Sequence, residues 1–116
     1  MFEFQKLDVY LKTRKYCKDI KLFIAKSKLD FILKDQLSRA STSILLNLAE
    51  GSARFSKKDR RHFMVMARGS VFECVGIMDH LVDIEKISKE GYDYFYNTLE
   101  EISKMLYAII KKLGDD

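Results

Sequence analysis

Residues 92–113 read YDYFYNTLEEISKMLYAIIKKL, and their spacing decides the fold class. Tyr92, Phe95, Leu99, Ile102, Leu106, Ile109 and Leu113 recur at alternating steps of three and four. That rhythm lays an apolar seam along one face of an amphipathic helix. Gly91 stands near its start, and Gly114 follows its end, where a left-handed backbone stops a helix. Lys111 and Lys112 suit the negative end of the helix dipole.

The same rhythm extends upstream. Phe63, Ala67, Ser70, Cys74, Ile77, Leu81 and Ile84 mark a second seam, with Ser56 and Asp59 spaced as a capping pair. This helix is expected from about Lys57 to Ser88, roughly 45 Å at the usual rise. Gly69 and Gly76 lie inside it, each at a cost of about 1 kcal/mol against Ala. Close approach of another backbone explains such glycines, and kinking is the competing reason. Leu33, Leu37, Ala40, Ile44 and Leu48 form a third seam that ends near Gly51-Ser52. Tyr10, Thr13, Cys17, Ile20 and Ile24 form a weaker fourth. Lys26-Ser27-Lys28-Leu29-Asp30 reads as the exit of that first helix and the entry to the next.

Four helices with short connections pack as antiparallel neighbours. The expected architecture is all-α: one up-down-up-down four-helix bundle over residues 1–116, in a single domain. Composition agrees. The 116 residues include no Pro, no Trp and five Gly, with 47% hydrophobic and 33% charged residues. That is apolar enough for a core and too poor in turn residues for many tight β-turns. No apolar run is long enough to span a membrane. Met1-Phe2-Glu3-Phe4-Gln5-Lys6 carries no secretory pattern, so the expected compartment is the cytoplasm.

Enzyme chemistry finds few candidates. A di-iron bundle needs Glu-x-x-His on two helices. The nearest approach is Asp59-Arg60-Arg61-His62, and His80 stands alone. Cys17 and Cys74 form no Cys-x-x-Cys, and Cys74 falls on an apolar seam, where an inert thiol is expected. No Gly-rich phosphate loop occurs. The expectation is no enzyme, no metal and no cofactor.

Charge is more informative. The net charge is +4, but residues 1–68 carry +9 and residues 69–116 carry −5. Five cations fall within residues 54–61: Arg54, Lys57, Lys58, Arg60 and Arg61. Arg68 follows Arg61 by seven, so both share a helix face. These six residues are the candidate nucleic-acid contacts. Cations beside a helix N-terminus suit phosphate, and Phe55 among them either stacks on a base or packs under the turn. A solvated basic turn is the plainer alternative. The basic first helix could also lie on an anionic membrane, but its apolar face is needed to complete the bundle.

A polar stripe flanks the seam of the second helix: Arg39, Ser43, Asn47, Glu50 and Arg54. It reads as a solvated edge, a set of inter-helix hydrogen bonds or a subunit interface. Glu50 is expected to pair with a cation such as Arg39 or Arg68, within or between chains.

Two segments carry a family resemblance. The first is Gln36-x-x-Arg39-Ala40-x-x-Ser43-Ile44-x-x-Asn47-Leu48-Ala49-Glu50-Gly51, and the second is Ala67-Arg68-Gly69-Ser70-x-x-Glu73. They resemble the four-helix-bundle family named after proteins encoded in intervening sequences of bacterial 23S ribosomal RNA genes. The closing helix from Ser103 to Leu113 is similar too. The family usually carries Pro where this chain has Leu45. The resemblance implies a ring-like homopentamer. It also implies similarity to accessory proteins of diversity-generating retroelements, which work with a reverse transcriptase and bind nucleic acid. Ser43, Asn47, Glu50, Gly51, Gly69, Ser70 and Glu73 match the family motif, and with Arg39 they form the expected structural or oligomer motif. The expected function is a homo-oligomeric bundle that binds RNA or DNA without sequence preference. The alternative is a protein-interaction module with no nucleic-acid role.

Overall fold

Three of the four helices begin where a small side chain receives an orphan backbone N–H, and the first begins at Leu7 with no side-chain cap. Asp30 accepts from the N–H of Leu33 at 2.8 Å, Ser56 from Asp59 at 3.0 Å and Ser88 from Gly91 at 3.0 Å. The computed structural model describes residues 1–114. It contains α1 (Asp8–Lys26), α2 (Phe31–Ser52), α3 (Lys57–Asp83) and α4 (Lys89–Lys112), after a short 3-10 turn at Glu3–Lys6. The helices pack as a closed ring, α1 on α2, α2 on α3, α3 on α4 and α4 on α1, with α2 and α3 joined most extensively. This is the expected antiparallel four-helix bundle, about 43 Å along its axis. No helix among the described residues is long and apolar enough to cross a membrane.

The core lies where the seams point, with a shift on three helices. On α4, Phe95, Leu99, Ile102 and Leu106 are buried as expected, and Ile110 replaces Ile109 at the end. A straight helix turns every 3.6 residues, so a seven-residue repeat drifts round it. On α3 the buried set is Met64, Ala67, Val71, Cys74, Met78 and Leu81. Phe63, Ser70 and Ile77 lie one position aside and are half-buried, and Ile84 is exposed. On α1 the interior residues are Val9, Thr13, Tyr16 and Ile20, while Tyr10, Cys17 and Ile24 of the expected seam lie aside and are half-buried, by the same drift.

α3 stops at Asp83, five residues before the expected end. The stop is a paired C-cap: Lys86 N–H donates to the Leu81 carbonyl at 2.8 Å, and Glu85 N–H to that of Val82 at 3.0 Å. Glu85 takes the left-handed position (φ 57°) that glycine usually fills, which is why the sequence carries no visible stop. At the end of α4, Gly114 fills that role as expected, with φ 88°.

The glycines divide sharply. A Cβ on Gly51 would lie 2.6 Å from Phe63 Cβ and 2.9 Å from Met64 Cε, so α2 and α3 close on each other only because that side chain is absent. Gly69 and Gly76 have open space above them. The close approach expected there does not occur within the chain.

Candidate nucleic-acid interface

Gly51 lets α2 and α3 converge beside the turn that joins them. That turn presents the basic run at one end of the bundle. Two of its cations are held by the protein. Arg54 lies over the Phe63 ring, 4.5 Å from its centroid, with Nη2 3.7 Å from Glu50 Oε1. Arg60 Nε donates to the Arg54 carbonyl at 2.7 Å. Lys57 and Lys58 are exposed in the first turn of α3 and form no ion pair among the described residues. Phe55 is 99% exposed, so it does not pack under the turn.

Arg61 and Arg68 form a separate group on the side of α3. Both are half-buried, and the buried Nε of each has no hydrogen-bond partner. Arg68 lies against two rings, 4.8 Å from the Phe72 centroid and 5.3 Å from that of Tyr107 on α4. The six candidate cations therefore divide into an end cluster of four and a lateral pair. The lateral pair begins at the turn and runs along α3.

The polar motif divides as well. Ser43 Oγ and Ser70 Oγ share a 2.8 Å hydrogen bond between α2 and α3. Asn47 Nδ2 donates to the Ser43 carbonyl at 2.9 Å and to Ser43 Oγ at 3.0 Å. Gly51 forms the close helix contact nearby. Arg39, Glu73 and Gly69 are exposed. Within the chain Glu50 does pair with a cation, but that cation is Arg54 rather than Arg39 or Arg68, and Arg39 faces Asp35 at 4.0 Å. Helical register explains this, because Arg54 stands four residues after Glu50 on the same face.

One buried polar cluster escaped the sequence reading. Tyr16 Oη and Ser41 Oγ share a 3.1 Å hydrogen bond, and Ser41 Oγ lies 3.5 Å from Cys74 Sγ. Cys17 Sγ donates to the Ser41 carbonyl at 3.3 Å. Burial pushes the Tyr16 hydroxyl and the Cys74 thiol up, and pushes Cys17 up to about 11. Raised thiols are poor nucleophiles at neutral pH, and the hydrogen bonds of the cluster join three helices. Its signal lay in the helical spacing of positions 9, 13, 16, 20 and 41, 44, 48, 51. Among the described residues no three His, Cys, Asp or Glu side chains gather as metal ligands.

A closed antiparallel four-helix bundle with a basic turn and a motif at the α2–α3 crossing defines the class. The 23S rRNA-intervening sequence protein family model matches residues 5–108, and the chain belongs to that family. Among solved structures it is similar to a protein of unknown function from the S23 ribosomal protein family of Bacteroides thetaiotaomicron. The two are 27% identical with a TM-score of 0.83, over 89% of this chain and 98% of that one. No curated protein matches the chain.

Proposed function

We propose that the protein is a cytoplasmic, non-enzymatic homopentamer that binds RNA or DNA through its basic surface by backbone contact. Lys57 and Lys58 carry the reading: two exposed cations, unpaired among the described residues, in the first turn of a helix. Free N–H groups at a helix start favour anions, and lysines there add full charges. Ring symmetry would repeat the patch and multiply its attraction for a polyanion. Assembly is supported by the outer face of α2 and α3. Leu46 is 59% exposed beside the Ser43–Asn47 cluster, and Gly69 leaves room for another backbone. A reverse transcriptase, as in the retroelement relatives, is the proposed protein partner.

The test is binding of mixed short RNA and DNA by the wild type and by Lys57→Gln/Lys58→Gln across a salt series. Each phosphate contact contributes a slope of about 0.9 in log affinity against log salt. The double variant should flatten the slope by about 2 per occupied patch. An unchanged slope would remove the turn from the interface. Absence of binding by the wild type would favour the protein-interaction reading.

A further inference from the structure

We infer that the α3–α4 groove is a base-stacking site for single-stranded nucleic acid, with Phe72 and Tyr107 as the platform and Arg68 as its cationic partner. The inference rests on the proposed nucleic-acid role and specifies the strand that the surface selects.

Phe72 and Tyr107 belong to the middle of long helices, yet they are 57% and 50% exposed. Each ring leaves about half of its surface to solvent. The Arg68 guanidinium lies against both rings, at 4.8 and 5.3 Å. A planar cation held this way is positioned before any ligand arrives, so less side-chain freedom is lost on binding. No carboxylate among the described residues lies within ion-pair distance of Arg68 or Arg61. The contrast is Arg54, which also lies over a ring but has Glu50 beside it.

Charge runs along the groove. Arg61 stands two turns from Arg68 on α3. Lys104 and Lys111 stand three residues before and four after Tyr107 on α4, hence on its face. Beyond Phe72 the cleft continues past Tyr96 and Glu100 with a volume of about 250 Å³. Arg61 follows the basic turn and precedes Arg68 by two helical turns, so the cations continue from the turn along α3 toward the rings. Aromatic faces between cations are the general device of single-strand binders, because every base has a π-face and only an unpaired base can stack. A duplex hides those faces, so it can use the lysines but not the rings.

The experiment uses the full chain with a short single strand carrying 2-aminopurine, and the same sequence as a duplex. Binding is read by anisotropy, and stacking by 2-aminopurine quenching. The variants are Phe72→Leu, Tyr107→Leu and Arg68→Lys, all at residues with solvent access, with helix content checked by circular dichroism. The wild type should quench the probe and prefer the single strand by on the order of 10-fold. Each Leu variant should lose most of the quenching and roughly 10-fold in single-strand affinity, with duplex affinity unchanged. Arg68→Lys should keep the salt dependence and lose part of the quenching. Leu variants that bind and quench like the wild type would overturn the inference while leaving salt-dependent binding at the turn intact. Variants that change the light-scattering mass and not the quenching would assign the groove to protomer contact and overturn it too. A wild type that binds neither strand would overturn both the inference and the function beneath it.

Discussion

Ser41 and Ser43 stand two residues apart on α2 and serve opposite faces. Ser41 points inward and ties α1, α2 and α3 together through Tyr16, Cys17 and Cys74. Ser43 lies at the outer edge and bonds Ser70 and Asn47 at the α2–α3 crossing. The glycines repeat the contrast. Gly51 is buried against Phe63 and Met64, while Gly69 opens to solvent. The same stretches of α2 and α3 thus hold two kinds of residue. The inward members fix the bundle, and the outward members are free to meet something else.

The largest expected effect belongs to the inner face. Burial raises the Tyr16 hydroxyl and both thiols above their ordinary values, Cys17 to about 11. A group with a raised folded-state value contributes its full stability below its unfolded value, 9.0 for Cys and 10.0 for Tyr. That contribution is lost as pH rises through the folded value. Stability should hold from neutral pH to about 9 and then fall through about 11, ending in cooperative unfolding. Denaturant titrations across that range, with tyrosinate absorbance, check this. Tyr16 should ionise only as the helices melt. Ionisation of Tyr16 in a folded protein would show that the inner cluster is open to solvent.

Next comes Gly51→Ala. The new methyl collides with the Phe63 Cβ, which is fixed to backbone and cannot swing aside. Overpacking of this kind costs typically 1–3 kcal/mol, and helix propensity returns about 1. A Cβ–Cβ contact of 2.6 Å puts the cost at the upper end, about 3 kcal/mol, so a net loss of about 2 kcal/mol should appear in the denaturant midpoint. A gain in stability would deny that the two helices close at this point.

The smallest effect on stability should come from Gly69→Ala, in the opposite direction. Nothing stands within 4 Å of the new methyl, so helix propensity alone applies, a gain of about 1 kcal/mol. Gly69→Leu sharpens the comparison. It should leave each protomer folded but lower the light-scattering mass, since a side chain would fill the space proposed for a neighbouring copy. A Gly69→Leu protein of unchanged mass would place the assembly surface elsewhere.

Much of this division was legible in the sequence, and part was not. The α4 seam, the Gly114 stop, the break at Lys26–Asp30 and the capping residue Ser56 pointed to the bundle, because each is a local signal. The α3 seam was displaced by one residue because Phe63 and Ile77 flank the buried stripe closely enough to mimic it. The end of α3 was hidden because Glu85 adopts a left-handed backbone that only tertiary context reveals. At the candidate interface, spacing put Arg61 and Arg68 on one face. It could not show Arg60 bound to a carbonyl, Glu50 taken by Arg54, or Tyr107 brought to Arg68 from another helix. Those depend on the angle at which helices meet, which no single helix encodes.

The most direct test of the central claim is the light-scattering mass of the purified protein, alone and with mixed short RNA and DNA, at low and high salt. The account predicts a pentamer that gains mass with nucleic acid at low salt and loses it at high salt. A monomer whose mass never changes with nucleic acid at either salt would contradict it.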